Sequence, residues 1–385
     1  MLDLIKFELY KIFSKKSVRI ILLLTILLGI FNVVAESVSV KYQGVDHIDD
    51  VYNIMKEYEG KAITEESAIK AENTINDLKE KKSRGEKLTE KEIVYMNYLY
   101  DTMRPPYPAY TVNNELYTVD EMKDEMNKLK NKNKTDTYEY KNLNFIYEKV
   151  KNVEESKFYF SHGWLKTADF RTIATLITTL IAVGLAAIFS DEYQSNSAQI
   201  MLSCKYGKNK MVLSKMITGL IFTATIFIII NVVHMIGVLL YDFRGWDAPL
   251  ELFKYYTNTP FDMRVIDFYI TGLGISFIGA ILYSLVTMLI SLLVKNNMIA
   301  LLLSLGLYYA PAFAGSFIPI DSVVRVFREI NLAEAISIEG MFVNSSTYNI
   351  LGTPVMHSTL LISLVVVFIP IVMYLIKYFG KKQTI

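Results

Sequence analysis

The sequence IFIIINVV at residues 226–233 and the sequence LVTMLISLL at residues 285–293 each lie inside a long apolar run, and such runs decide the fold class. Five runs begin after residue 170, near Ile173, Met216, Phe268, Met298 and Leu360. A sixth, at residues 20–35, stands alone. A bilayer core of roughly 30 Å needs about 20 apolar helical residues, and lipid leaves no backbone polar group unpaired. The sequence predicts an all-α polytopic membrane protein with six transmembrane helices.

Lysine and arginine residues are concentrated in alternate connections between these runs. They include Lys6, Lys11, Lys15, Lys16 and Arg19 before the first run, and Lys205, Lys208, Lys210 and Lys215 between the second and third. Basic residues favour the cytoplasmic side of a membrane. We therefore expect a multi-pass protein of the cell membrane with both termini and Cys204 in the cytoplasm, and with residues 36–170 outside the cell.

The leader at residues 1–18 has an apolar stripe at helical spacing, formed by Leu2, Ile5, Leu9 and Ile12. This pattern predicts an amphipathic elbow helix that lies on the inner leaflet, contacts lipid and leads into a first span at residues 19–35. A cleaved signal peptide is the alternative, since Val33-Val34-Ala35 resembles a weak cleavage site. The patterned leader favours the retained span.

The polar stretch at residues 36–170 carries several helix signals. Thr64 precedes one apolar stripe, Thr89 and Glu92 form a capping box, and so do Thr118 and Glu121. A fourth helix is expected over residues 138–153. These signals predict a helical extracellular domain between spans 1 and 2, which the proline-rich residues 104–108 divide into two helical pairs.

Tyrosine is frequent in this insert, which holds 13 of the 26 tyrosines of the chain. Tyrosine offers a large contact area at low entropic cost, so a ligand surface is one interpretation. The other is that the rings fill a small core and its rim, and their positions on apolar stripes favour that interpretation.

Motifs that bind nucleotides, or that hydrolyse peptides or esters, do not occur in the sequence. Gly207-Lys208 lacks the upstream glycine and the hydroxyl residue of a phosphate-binding loop. The four histidines, His47, His162, His234 and His357, are scattered and predict no metal site. The net charge of +1 points to no nucleic acid. We expect neither catalysis nor a bound cofactor from this chain, so that any energy for transport comes from another subunit.

The centres of the six runs lack Asp, Glu, Lys and Arg, which disfavours an ion-coupled secondary transporter. Asn231 and His234 lie on one face of the third run, where they either line a substrate pathway or make an interhelical hydrogen bond. The fourth run has a stripe of small residues, Gly272, Ser276, Ala280 and Ser284. This stripe suits close helix packing, either within one subunit or across a dimer.

The connection between the second and third runs reads IFSDEYQSNS at residues 188–197, MLS at residues 201–203 and YGK at residues 206–208, and Lys215 follows. This pattern resembles the ABC type 2 permeases, the membrane subunits of ATP-driven exporters. The family usually has Gly-Thr where this chain has Asn196-Ser197. In the resemblance, residues 190–211 form a cytoplasmic coupling loop, which includes Glu192, Asn196, Ser197, Leu202, Ser203, Tyr206 and Lys208.

The resemblance implies a five-span membrane domain at residues 171–385 and a coupling helix that docks on a cytoplasmic ABC ATPase. ATP and Mg would bind to that ATPase, and a second permease copy or a paralogue would complete the pathway. Gram-positive permeases that handle antimicrobial peptides or envelope compounds carry similar outer insertions, which suggests export of a peptide or lipid-like amphiphile. The alternative function is a membrane sensor or scaffold whose outer domain binds an envelope ligand.

Overall fold

The structure of the chain, a computed structural model, is mainly helical with two small β-hairpins. It describes residues 1–42, 45–99, 103, 108–151, 157–167, 170–203, 209–253, 255–317, 322–343 and 345–382.

The chain begins with two helices, α1 (Leu2–Phe13) and α2 (Lys16–Tyr42). Helix α2 is longer than the span predicted at residues 19–35, because no glycine or proline follows Gly29 until Gly44. The boundary expected at residue 36 between span and insert therefore lies inside a continuous helix.

Between residues 45 and 151, the described part of the insert contains five α-helices and one hairpin. Its elements are α3 (Ile48–Met55), α4 (Glu65–Ser83), α5 (Glu90–Val94), β1 (Tyr110–Val112), β2 (Glu115–Tyr117), α6 (Val119–Asn131) and α7 (Tyr138–Val150). The hairpin is an addition to the predicted helical domain. Asn113 and Asn114 both have positive φ angles, of 52° and 67°, as a two-residue hairpin turn requires. Asparagine tolerates that conformation, so this turn joins two strands too short to give a clear sequence pattern.

The helix starts predicted in the insert are confirmed. Thr64, Thr89 and Thr118 are the N-cap residues of α4, α5 and α6, and each accepts a hydrogen bond from the third residue of its helix. At Thr118 the capping box is reciprocal, because its backbone N–H donates to Glu121 Oε2 at 2.8 Å.

Removing the Thr118 side chain is expected to loosen the first turn of α6. Thr118→Ala deletes the acceptor for the Glu121 amide and should cost about 1 kcal/mol of local stability. Hydrogen exchange of the full-length protein should show faster exchange in α6 and unchanged exchange in α4. Thr118→Ser keeps the hydroxyl and should behave like the native protein; equally fast exchange in both variants would contradict the capping role.

Two separate hydrophobic cores hold the insert together, and Phe158 and Phe160 return to the first of them from beyond the proline-rich stretch. The first joins α3, α4 and α5, and the second joins β1, α6 and α7. Tyr110 is buried in the second core. Seven further tyrosines pack against the two cores, namely Tyr52, Tyr58, Tyr95, Tyr98, Tyr117, Tyr140 and Tyr147. This placement supports the core interpretation of the tyrosines.

The second half of the chain contains the long apolar helices. Its elements are α8 (His162–Thr167), α9 (Phe170–Leu185), α10 (Ser190–Gln194), α11 (Ala198–Ser203), α12 (Lys210–Tyr241), α13 (Val265–Val294), α14 (Asn297–Phe317), α15 (Ser322–Glu329), α16 (Leu332–Ser337), α17 (Glu339–Val343), β3 (Thr347–Ile350), β4 (Thr353–Met356) and α18 (His357–Lys382).

Four helical stretches of the described chain are long and apolar enough to cross a membrane. They are Phe170–Gln194, Lys210–Tyr241, Val265–Val294 and His357–Lys382. The apolar part of α14, Asn297–Pro311, is shorter. The chain is therefore mainly helical and has the helices of a membrane protein, as the sequence predicts.

Helix α13 is the centre of this half, since it packs against α9, α12, α14, α16 and α18. Its small-residue stripe lies at these contacts, and Ala280 and Ser284 are both fully buried. The short helices α15 to α17 follow α14, and α16 is wedged between α9, α13 and α14. The insert rests on this half through β4, which packs against α7.

Candidate functional site

A buried ion cluster joins three helices at one end of the bundle. Lys215, in the second turn of α12, is fully buried. Its Nζ lies 2.5 Å from Glu192 Oε1 of α10 and 3.3 Å from Glu8 Oε2 of α1. Lys215 Nζ also donates a hydrogen bond to the backbone carbonyl of Ile188. We call these three side chains and that carbonyl the lysine cluster.

The helical spacing of residues in α1 and the position of Glu192 after α9 explain how the lysine cluster forms. Glu8 is spaced three residues after Ile5 and four before Ile12, so it shares the helix face that α1 buries. Glu8 and Ile12 are both buried, and α1 packs on α12. Glu192 lies in α10, after the turn that ends α9. This turn places the Glu192 side chain beside the start of α12.

The electrostatics of the lysine cluster depend on all three side chains. One ammonium faces two carboxylates, so the formal charge of the group is −1 when all are ionised. The ring of Phe189 lies 5.5 Å from Lys215 Nζ and adds a cation–π contact. Removing one partner from a buried ion pair leaves an uncompensated charge in a medium of low polarity. The cluster therefore ties α1, α10 and α12 into one arrangement.

A second polar layer links the same region to two further helices. Asp191 of α10 pairs with Lys11 of α1 at 3.4 Å and accepts a hydrogen bond from Asn297 Nδ2 of α14 at 3.1 Å. Ser190 Oγ donates to Asn297 Oδ1 at 2.5 Å. Ser291 Oγ of α13 accepts hydrogen bonds from the backbone amide of Ser190 at 3.2 Å and from that of Phe189. The turn between α9 and α10 is thus held by side chains of four neighbouring helices, α1, α12, α13 and α14.

The connection after the cluster is exposed. Asn196 is exposed and has a φ of 56°, a left-handed conformation that glycine adopts most readily and asparagine tolerates. Ser197 is half-buried, and its Oγ donates to the carbonyl of Glu192 at 3.4 Å. Ile200 of α11 is 72% exposed, so an apolar side chain is displayed on this connection.

The remaining loop positions are described only in part. Leu202 and Ser203 end α11. Tyr206, Lys208 and Cys204 lie outside the described residues. The structure therefore separates the loop residues by environment: Glu192 is inside the bundle, whereas residues 194–196 and 199–200 are on its surface. Glu192 is therefore buried against Lys215 and does not lie on the exposed surface of this connection.

Asn231 and His234 of α12 lie far along the helix from Lys215. Asn231 is buried, and its Nδ2 donates to the carbonyl of Phe227 at 2.9 Å within the same helix. Its Oδ1 has no hydrogen-bond partner among the described residues. His234 is half-buried. The structure does not bring these two residues together with the lysine cluster.

The small-residue stripe of α13 faces the chain itself. A Cβ atom at Gly272 would collide with Ile338, and one at Gly279 would lie 2.6 Å from the carbonyl oxygen of Ala335 in α16. Ser276 is also buried. Residues of the same chain therefore cover the stripe.

Glu8 is the cluster residue that sequence reasoning missed. The sequence contained a signal for it, since an acidic residue on the buried face of an amphipathic helix needs a buried partner.

The residues of the described chain show no cluster of three or more side chains that could hold a metal ion. Comparisons with known protein families, with curated proteins and with solved structures find no match to this chain.

Proposed function

We propose that this chain is the permease subunit of an ATP-driven ABC exporter and moves a peptide or lipid-like amphiphile across the cell membrane. The lysine cluster is the observation that carries the proposal. It connects the exposed loop after α10 to the start of a long apolar helix through a buried ion pair. A movement imposed on that loop by a partner protein reaches α12 through Glu192 and Lys215.

In this proposal the chain crosses the membrane six times, with α2 and α14 as spans besides the four long helices. Helix α1 is the elbow helix on the inner leaflet. One of its faces buries Glu8 and Ile12, while Leu2, Phe7 and Tyr10 are 73%, 62% and 73% exposed. Exposed apolar side chains opposite a buried face suit a helix that lies against lipid. Both termini and the lysine cluster are then cytoplasmic, and the insert is outside.

The mechanism assigns separate roles to the two parts of the loop. The exposed residues around Ile200 dock on a cytoplasmic ABC ATPase, which binds ATP and Mg. Closure of the ATPase dimer moves α10 and α11, and the lysine cluster passes this movement to α1 and α12. A second permease copy or a paralogue completes the pathway. Asn231 lies on the pathway-lining face in this proposal, together with His234.

The proposal predicts two different defects in a complex of this chain with a co-expressed ABC ATPase. Ile200→Glu puts a charge on the docking surface and should abolish co-purification of the ATPase. Glu192→Gln weakens the link inside the bundle, so the complex should form while its ATPase rate loses its dependence on the permease. Normal co-purification with Ile200→Glu together with a normal rate for Glu192→Gln would contradict the mechanism.

The alternative function is a sensor or scaffold, and one set of contacts favours it. The insert touches both connections on its side of the bundle, through the Arg244–Asp49 ion pair at 2.5 Å and the hydrogen bond from Thr347 Oγ1 to Asn142 Oδ1 at 2.7 Å. Deleting residues 45–160 separates the two functions. An exporter should keep its ATPase partner and part of its transport, whereas a sensor should lose its whole response.

A further inference from the structure

A cavity of about 580 Å³ lies at the end of the bundle opposite the lysine cluster. Its wall is formed by the start of α9, the last turns of α14, the short helices α15 to α17 and the start of α18. Pockets of 300–1,000 Å³ are typical of sites for small molecules. Charged and aromatic side chains line the cavity, and they determine which class of ligand it can bind.

Most of the charged groups around the cavity are already engaged with one another. Arg171 lies with its Nε 3.4 Å from Glu339 Oε2, and its backbone amide donates to Glu339 Oε1 at 2.9 Å. Glu329 Oε2 accepts a hydrogen bond from Tyr348 at 2.7 Å. His357 Nε2 lies 2.8 Å from the carbonyl oxygen of Glu329. The positive charge of Arg171 is therefore compensated before any ligand enters.

Glu334 is different, because it lines the cavity and forms no ion pair with any described residue. Its Oε1 is inaccessible to solvent because it packs against Gly340, so a ligand in the cavity would approach the other carboxylate oxygen. Gly340 leaves the room that this oxygen occupies, since a Cβ atom there would collide with it. Burial raises the pKa of Glu334 to about 7; Arg171 opposes this rise, while Glu339 and Glu329 add to it. A partly buried carboxylate that has no ion-pair partner is stabilised in its charged form by a cation that a ligand supplies.

Aromatic rings stand beside this carboxylate. Tyr255, Tyr308 and Tyr309 line the cavity, and the rings of Tyr308 and Tyr309 meet edge to face at 5.0 Å. The hydroxyl of Tyr308 lies 3.3 Å from Thr175 Oγ1. A carboxylate bordered by several aromatic rings attracts an ammonium group, through charge and through the negative faces of the rings. The described charged groups around the cavity are Arg171, Arg328, Glu329, Glu334 and Glu339, whose formal charges sum to −1 when all are ionised, so the cavity favours a cation over an anion.

We propose that this cavity is a binding site for an organic monocation, whose ammonium group pairs with Glu334 and whose apolar part lies against Tyr255, Tyr308 and Tyr309. Pro311, Ala333 and Val343 complete the apolar wall. The site holds one small amphiphilic amine. The proposal concerns binding alone and does not depend on an ATPase partner.

Three probe molecules of similar shape test whether binding requires a positive charge on the ligand. The protein used is the native full-length chain in nanodiscs. Phenethylammonium, 2-phenylethanol and 3-phenylpropionate share a ring and a short chain but differ in charge. At about pH 8, where Glu334 is mostly charged, calorimetry should show saturable binding of the ammonium compound. The alcohol should bind at least about tenfold more weakly, and the carboxylate should not bind. Equal affinity for the ammonium compound and the alcohol would overturn the proposal.

Substitutions test which side chains of the cavity contact the bound phenethylammonium ion. Glu334→Gln keeps the shape and should weaken phenethylammonium binding at least about tenfold, and Tyr255→Leu should weaken it by removing a ring. Tyr308→Phe keeps the ring and should bind normally. Glu72→Gln, an exposed residue of α4, is the matched control. Unchanged affinity in Glu334→Gln would assign the binding elsewhere and refute the site. The probe series on the native protein decides the charge requirement even if a variant folds poorly.

Discussion

Lys215→Met is expected to destabilise the protein by about 3–5 kcal/mol, because it leaves Glu8 and Glu192 buried without a compensating cation. Methionine has a similar length and fills the same space, so the loss is electrostatic and leaves the packing of α12 on α1 largely intact. The carbonyl of Ile188 also loses a donor. The lost link between the loop and α12 should abolish the response of a bound ATPase to the permease.

Heating followed by fluorescence-detected gel filtration of the full-length protein measures this loss. Lys6→Met is the matched control, since Lys6 is an exposed residue on the same α1 that carries Glu8, and it should unfold like the native protein. Combining Lys215→Met with Glu8→Gln and Glu192→Gln removes all three charges and should restore much of the stability. A triple variant no more stable than Lys215→Met alone would show that charge compensation is not the role of the cluster.

Gly279→Ala should produce the second large defect. A Cβ atom there would lie 2.6 Å from the carbonyl oxygen and 2.9 Å from the carbonyl carbon of Ala335, and 3.1 Å from Ile336 Cγ1. These are mostly backbone atoms of α16, so the whole short helix must move away from α13. We expect a cost of about 1–3 kcal/mol and a displaced Glu334, which lies on the same helix.

Helix α13, which carries Gly279, also offers a matched control. Gly274 of α13 is exposed and has no neighbour within 4 Å of an added Cβ atom. Gly274→Ala should therefore be neutral or stabilise the helix by up to about 1 kcal/mol, because alanine is the better helix former. Thermal stability and phenethylammonium binding are measured for both variants. Equal behaviour of Gly274→Ala and Gly279→Ala would argue against tight packing of α16 on α13.

Much of the local architecture could be predicted from the sequence. The helices begin within two turns of the predicted starts of the apolar runs, and the capping threonines of the insert act as expected. These features depend on the spacing of neighbouring residues along one helix. The hairpin at Asn113 and Asn114 was missed, because two strands of three residues carry too little pattern to compete with the flanking helix signals.

The candidate sites were predicted less completely. The sequence singled out Glu192 in the coupling loop and Lys215 after it as separate residues. Their 2.5 Å ion pair and the contact of Lys215 with Glu8 arise because three helices approach one another. The cavity combines Arg171, Tyr308, Glu334 and His357, which are distant in sequence. No spacing rule connects them.

The sequence by itself determined where the helices form and that several are apolar enough to cross a membrane, because both properties are set by short-range periodicity and composition. The tertiary structure alone decided which charged side chains are buried together, which side of the small-residue stripe is covered, and where a cavity remains. These outcomes depend on packing between helices that are far apart in the chain, and such packing is not encoded in any single stretch of residues.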